Sequence, residues 1–160
     1  MDMTMLSGEM TRMVADVSGV FRQMGTADWT RTRGAGNWTR LEILGHLIDS
    51  AGNNHQRFVR AMAEGEVTLP GYDQEAMVRV QQFGRAKPVL LVGLWESFNL
   101  YLAGLVALIP AERLGAPCVI GGAEAVTLEY LVVDYVRHMQ HHLRQIFAGM
   151  DVAVRWVELD

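Results

Sequence analysis

Five histidines carry the chemistry that this sequence offers: His46 and His55, then His138, His141 and His142. Neutral imidazole suits zinc, nickel, iron or copper. His138 and His142 stand four apart, the spacing that puts two side chains on one face of a helix. Alone, that H-x3-H spacing describes two partly exposed imidazoles at least as well as a metal site. His46, on a separate segment, makes a three-histidine site possible without proving it. Rival chemistries lack their residues. No E-x-x-H occurs, since Glu42 precedes His46 by four, and di-iron carboxylate bundles want paired motifs of that kind. There is no C-x-x-C-H for haem attachment and no G-x-S-x-G elbow for a serine hydrolase. The one cysteine, Cys118, excludes a disulfide scaffold or a cysteine-rich zinc module.

These side chains need helices to aim them, and four long segments carry helical periodicity. Leu6, Met10, Met13, Val17, Val20 and Met24 recur three and four apart from about residue 5 to 24, and Gly25 closes the run. A polar, glycine-bearing loop is expected from Thr26 to Asn37. Thr39 and Glu42 then form a capping box, with Trp38 at the staple position, and an apolar face runs from Leu44 to Met62. Pro70-Gly71 breaks the chain, and a short helix capped by Asp73 should end by Gly84. Pro88 opens the third long helix at its first turn, which stops before Pro110. Thr127 is the N-cap expected for the fourth, which reaches about Phe147. The loop from Ala111 to Val126 leaves room for a short extended piece. The tail 152–156 alternates weakly, as a strand or a segment that packs against a partner would. The pattern predicts an all-α, antiparallel four-helix bundle.

Helical phase separates the three clustered histidines. At about 100° per residue, the apolar face of the fourth helix centres on Leu128, Val132, Tyr135, Met139 and Ile146. His142 falls within that arc, His138 at its edge, and His141 towards solvent. On the second long helix His46 shares a stripe with Ser50, Asn53, Asn54 and Arg57. Solvated helix faces favour Lys, Glu and Gln over Ser and Asn, so a polar cleft inside the bundle explains this stripe better.

Neighbouring residues supply candidate support. Asp49 follows His46 by three and Asp134 precedes His138 by four, so either can hydrogen-bond the second nitrogen of a ligand; both also read as surface or capping carboxylates. Asn53 and Arg57, beyond Ser50, suit an anionic substrate or thiol cofactor, or plain helix–helix hydrogen bonding. Asn99, four after Trp95, reads as a buried polar anchor first and a pocket residue second. Cys118 reads as packing, and Tyr72 and Trp95 as core aromatics.

The chain has 160 residues, half of them hydrophobic, and a net charge of −4 with a single lysine, Lys87, among dispersed arginines. That composition excludes disorder and lacks the basic footprint of a nucleic-acid binder. The N-terminus does not read as a signal peptide. Residues 89–109 have the length of a membrane span, but Glu96, Ser97 and Asn99 interrupt them, which favours a buried bundle helix. A cytoplasmic protein, with no membrane or nucleic-acid partner, is expected.

Residues 38–58, WTRLEILGHLIDSAGNNHQRF, resemble the helix bearing the first histidine of the DinB-like (DinB/YfiT) superfamily. Gly71-Tyr72-Asp73, Trp95, Asn99 and residues 127–146, TLEYLVVDYVRHMQHHLRQI, continue the resemblance in order across nearly the whole chain. The resemblance implies one DinB-like domain over residues 1–160, commonly a homodimer, with a short extra helix and a short irregular tail. It implies one divalent metal on His46, His138 and His142, with zinc or nickel the expected ion. Family members with assigned chemistry include transferases using low-molecular-weight thiols such as bacillithiol, and a mycothiol-dependent isomerase. Three neutral ligands leave an open position, as in catalytic rather than structural zinc. A metal there would activate water or a thiol. The expected function is therefore a metal-dependent enzyme acting on a small molecule, a thiol S-transferase first and a hydrolase next. The alternative is a non-catalytic metal-bearing bundle that binds a small molecule or a protein.

Overall fold

The computed structural model describes residues 1–32, 34 and 36–159; Arg33, Ala35 and Asp160 lie outside the described residues. Four long helices form the body: α1 (Met3–Phe21), α3 (Arg40–Glu64), α5 (Pro88–Ala107) and α6 (Leu128–Ile146). Two short ones, α2 (Thr26–Trp29) and α4 (Gln74–Gln81), sit in the connections. Each long helix starts where its capping residue stands. Asp2 accepts from the amides of Thr4 and Met5, and Thr39 and Glu42 close their box reciprocally. Pro88 opens α5, and Thr127 accepts from Tyr130 N. Such caps satisfy amides that have no partner within the helix.

α1 packs on α5, α5 on α3, and α3 on α6. His46 meets His142, and Phe58 meets Tyr135, so α3 and α6 run antiparallel. The core fills the space between the four helices, with Met10, Met13, Leu44, Phe58, Trp95, Leu102, Met139 and Leu143 fully buried. Asn99 lies within it as the anticipated polar anchor. Its amide donates to Trp95 O and its oxygen accepts from Tyr135 Oη, at 2.8 and 2.5 Å. Cys118 is buried and donates to Ala116 O, consistent with a packing role.

Three features depart from the sequence expectation. The loop after α1 contains α2, which buries Trp29 against Phe21. A small sheet joins the two long connections. Its strand β1 (Val67–Leu69) pairs in parallel with β2 (Pro117–Ile120), which pairs antiparallel with β3 (Val126–Thr127). Only the β2–β3 region was anticipated as extended. Finally, α5 is half-buried rather than enclosed. Leu91, Trp95, Asn99, Leu102 and Val106 face inward, while Leu90, Leu94, Tyr101 and Leu108 stay exposed. The reason is geometric: among the long helices α5 packs mainly against α1 and α3, and it meets α6 through Asn99 and Tyr135.

The sheet matters because it positions the loop before α4. Gly121 (φ +64) donates to Leu69 O at 2.9 Å, and a Cβ added to it would stand 3.4 Å from the Gly71 backbone, so the two glycines lie side by side. The tail stays irregular and packs down. Val157 exchanges hydrogen bonds with the Gln140 side chain, and Arg155 forks onto Asp16.

Candidate metal centre

His46 sits two turns into α3, where Gly45 lets the helix lie directly on the Phe83 ring. A Cβ at Gly45 would meet that ring at 2.2 Å. His46 itself is 1% exposed, with Trp38 tilted over it at 5.2 Å between ring centres. Across the groove α6 presents His138 and His142. The Nε2 atoms of His46 and His138 are 3.1 Å apart, and the three rings offer donor atoms within 4.8 Å of one another. His141 is exposed, as its phase requires.

Each outer nitrogen has a distinct surrounding. Gln145 Oε1 lies 2.9 Å from His142 Nδ1, and its amide nitrogen reaches His141 Nε2 at 2.8 Å. The amide thus accepts from His142 Nδ1–H, which leaves His142 Nε2 with its lone pair free. Ser50 Oγ lies 3.4 Å from His138 Nδ1. His46 Nδ1 is buried with no partner among the described residues. Asp49 and Asp134, the two carboxylates read as candidate supports, do not fill this role. Asp49 is held by Gln81, whose amide donates to both its oxygens at 2.9 Å, and Asp134 is exposed. A neutral amide and a hydroxyl stand where carboxylates were expected.

Burial lowers the pKa of all three imidazoles. His46 is pushed down to about 3, with His142 and His138 adding repulsion, and His138 to about 4, with His142, His141 and Arg57 adding theirs. Burial also lowers His142, partly offset by its bond to Gln145. The rings are therefore neutral at physiological pH, the state a metal requires. Three neutral nitrogen donors, converging and free of carboxylates, fit a divalent first-row cation.

The polar stripe of α3 continues from this cluster. Asn53 donates to Asp49 O, and Asn54 donates to the Ser50 carbonyl and hydroxyl. Arg57 donates to Asn54 Oδ1 at 3.2 Å. Tyr72, read as a core aromatic, instead lies half-buried beside Ser50, Arg57 and Asp49. On the other flank a cavity of about 260 Å³ opens onto His142 and Gln145, walled by Asn37, Trp38, Gln74 and Glu75.

The profile of the DinB superfamily matches residues 9–146, which include all three histidines. The chain belongs to the DinB superfamily. Among DinB relatives, a Bacillus licheniformis protein is 27% identical over 71% of this chain and 65% of its own length. Bacillus subtilis YfiT is 25% identical over 69% of this chain and 63% of its own. Both carry the provisional name of metal-dependent hydrolase. The chain thus spans slightly less than two thirds of the length of these curated relatives. A solved structure of YfiT, described as a four-helix bundle of unusual topology, superposes with a TM-score of 0.74. It covers 89% of this chain and 84% of its own at 21% identity. That likeness establishes the shared DinB fold.

Proposed function

We propose that this DinB protein is a metal-dependent hydrolase whose divalent cation is held by His46, His138 and His142. The observation that carries the reading is the convergence of one buried and two half-buried neutral imidazoles with no carboxylate among them. When bound, a divalent cation supplies Lewis acidity to water and to a carbonyl or phosphoryl oxygen of the substrate. The chain's own residues orient the ligands. Gln145 fixes the His142 tautomer, Ser50 faces the outer nitrogen of His138, and Trp38 packs on His46. Neutral partners make the rings less basic than carboxylate partners would, which leaves more of the cation's charge for the substrate. Burial raises the pKa of Tyr72 against the opposing pull of Arg57, so its phenol stays protonated and is a hydrogen-bond donor at the rim. We infer zinc or nickel as the ion, both among the cations that imidazole suits.

The names of two relatives support reading hydrolysis ahead of thiol S-transfer. Elemental analysis followed by a panel of amide, ester and phosphoester substrates, each with and without added thiol, tests it. Metal-dependent turnover without thiol supports the hydrolase. Turnover only with a thiol and an electrophile moves the assignment to the transferase, and stoichiometric metal without turnover moves it to a binding bundle.

We further propose a homodimer formed over α5. Leu90, Leu94, Tyr101 and Leu108 form one uncharged strip on this helix, 40% or more exposed throughout, and a continuous apolar patch of that kind marks an interaction surface. A second copy related by a two-fold axis would cover both strips at once.

A further inference from the structure

Arg57 is the one charged donor on the polar stripe of α3, and its position is set by the helix. Long side chains on a helix lean towards its N-terminus, which here is the direction of the histidines. The bond from Arg57 to Asn54 Oδ1, one turn back, holds that lean. Asn54 is in turn fixed by Ser50, whose hydroxyl faces His138. A hydrogen-bonded series therefore runs from a ligand imidazole to the guanidinium. The ion pairs among the described residues engage Arg12, Arg22, Arg40, Arg60 and Arg155, and Arg57 is not among them. Asp134 on α6 and Tyr72 stand close enough to act on its charge, yet no carboxylate oxygen among the described residues comes within 4.0 Å. A half-buried guanidinium with one of its five N–H groups engaged is an unfinished recognition element, because the fork matches planar anions in two-point contact.

We propose that Arg57, braced by Asn54 and flanked by Tyr72, is the anion-binding arm of the site, so that the substrate carries a carboxylate or phosphate group beside the bond attacked. This deepens the hydrolase reading and rests on it only for the identity of the reacting end. The surroundings favour an anion. The guanidinium adds positive charge to a cluster of neutral rings, and the nearest free carboxylate, Asp134, is exposed to water. The Tyr72 phenol adds a second donor on the same side.

Titration calorimetry of orthophosphate, and separately of acetate, into the whole protein tests the assignment at constant ionic strength. Both metal-loaded and metal-stripped samples are used, with metal content measured on each. At least one anion binds the wild-type chain, and Arg57→Gln weakens it by roughly ten- to a hundredfold in both forms, with metal content and melting temperature unchanged. Arg57→Lys recovers part of the loss, and Asp134→Asn tightens binding by removing a competitor for the guanidinium. Orthophosphate binding separates a phosphoester substrate from a carboxylate bound through acetate. Equal anion affinity in wild type and Arg57→Gln overturns the proposal, as does failure of the wild-type chain to bind either anion. Arg57-dependent binding in a chain that takes up no metal would instead sink the metal reading and leave this one standing.

Discussion

The Nε2 atoms of His46 and His138 stand 3.1 Å apart although 92 residues separate them in the chain. Two neutral imidazoles can share one proton at that distance. The third ring, however, has its outer nitrogen tied to Gln145 and its remaining donor turned to the same point. Burial has removed the alternative of charging the rings. Such a cluster costs solvation, and a cation bound by all three would offset that cost.

Gln145 is expected to act on the metal through His142. Gln145→Leu removes the acceptor for Nδ1–H and should weaken metal binding about ten- to a hundredfold, read by competition with a chelator. Asp134→Asn, which touches no ligand nitrogen, should change it little. Equal effects would mean that the amide does not orient the ring.

The metal-stripped protein should lose stability in acid over a defined window. Unfolded histidine binds its proton near 6.5, whereas the folded rings of His138 and His46 do so only at about 4 and about 3. Between those values the unfolded chain holds more protons, so stability falls as pH falls. The contribution of these rings is complete above about 6.5 and is lost as pH drops to about 4 and below. Melting temperatures measured from pH 7.5 to 4 (about the range that spans these values) should show a steeper decline for wild type than for a His46→Gln, His138→Gln double variant. Parallel curves would contradict it. Bound metal should likewise survive passage through pH 6.5, since proton competition starts only at the lowered values.

Gly45→Ala tests the packing behind His46. The new methyl would stand 2.2 Å from the Phe83 ring, so the ring must shift, at about 1–3 kcal/mol. Denaturant unfolding should show that loss, and combining it with Phe83→Ala should give less than the sum of the two single losses. Strict additivity would mean that the two sites do not touch.

The α5 surface gives a separate expectation. Light scattering should report a dimer for wild type, and Leu94→Glu should yield a folded monomer, since a charge at the centre of the strip opposes its burial. A monomeric wild type would remove the proposed interface.

Much of this was legible in the sequence because it depends on local rules. Thr39–Glu42, Asp73 and Thr127 each cap the helix they foretold. A four-residue spacing read against the apolar face placed His138 and His142 in the groove and His141 in water. What was missed depends on distant pairing. Val67–Leu69 is too short for alternation to show, and it becomes a strand only by meeting residues 118–120. α2 is a single turn held by Trp29 burial. Tyr72 lies beside Ser50 and Arg57 in a loop whose Gly71 neighbours Gly121, a long-range contact no local pattern announces. Gln145 escaped notice because carboxylates are the commoner partners of ligand histidines; its position three after His142 was the available signal.

Elemental analysis of the purified wild-type chain beside His142→Ala and His141→Ala tests the central claim most directly. The two residues are neighbours in sequence, and only one faces His46. One divalent ion per chain in wild type and in His141→Ala, with stoichiometric metal lost in His142→Ala, is the result the three-histidine centre requires. Equal metal in both variants, or none in wild type after metal-supplemented expression, would contradict it.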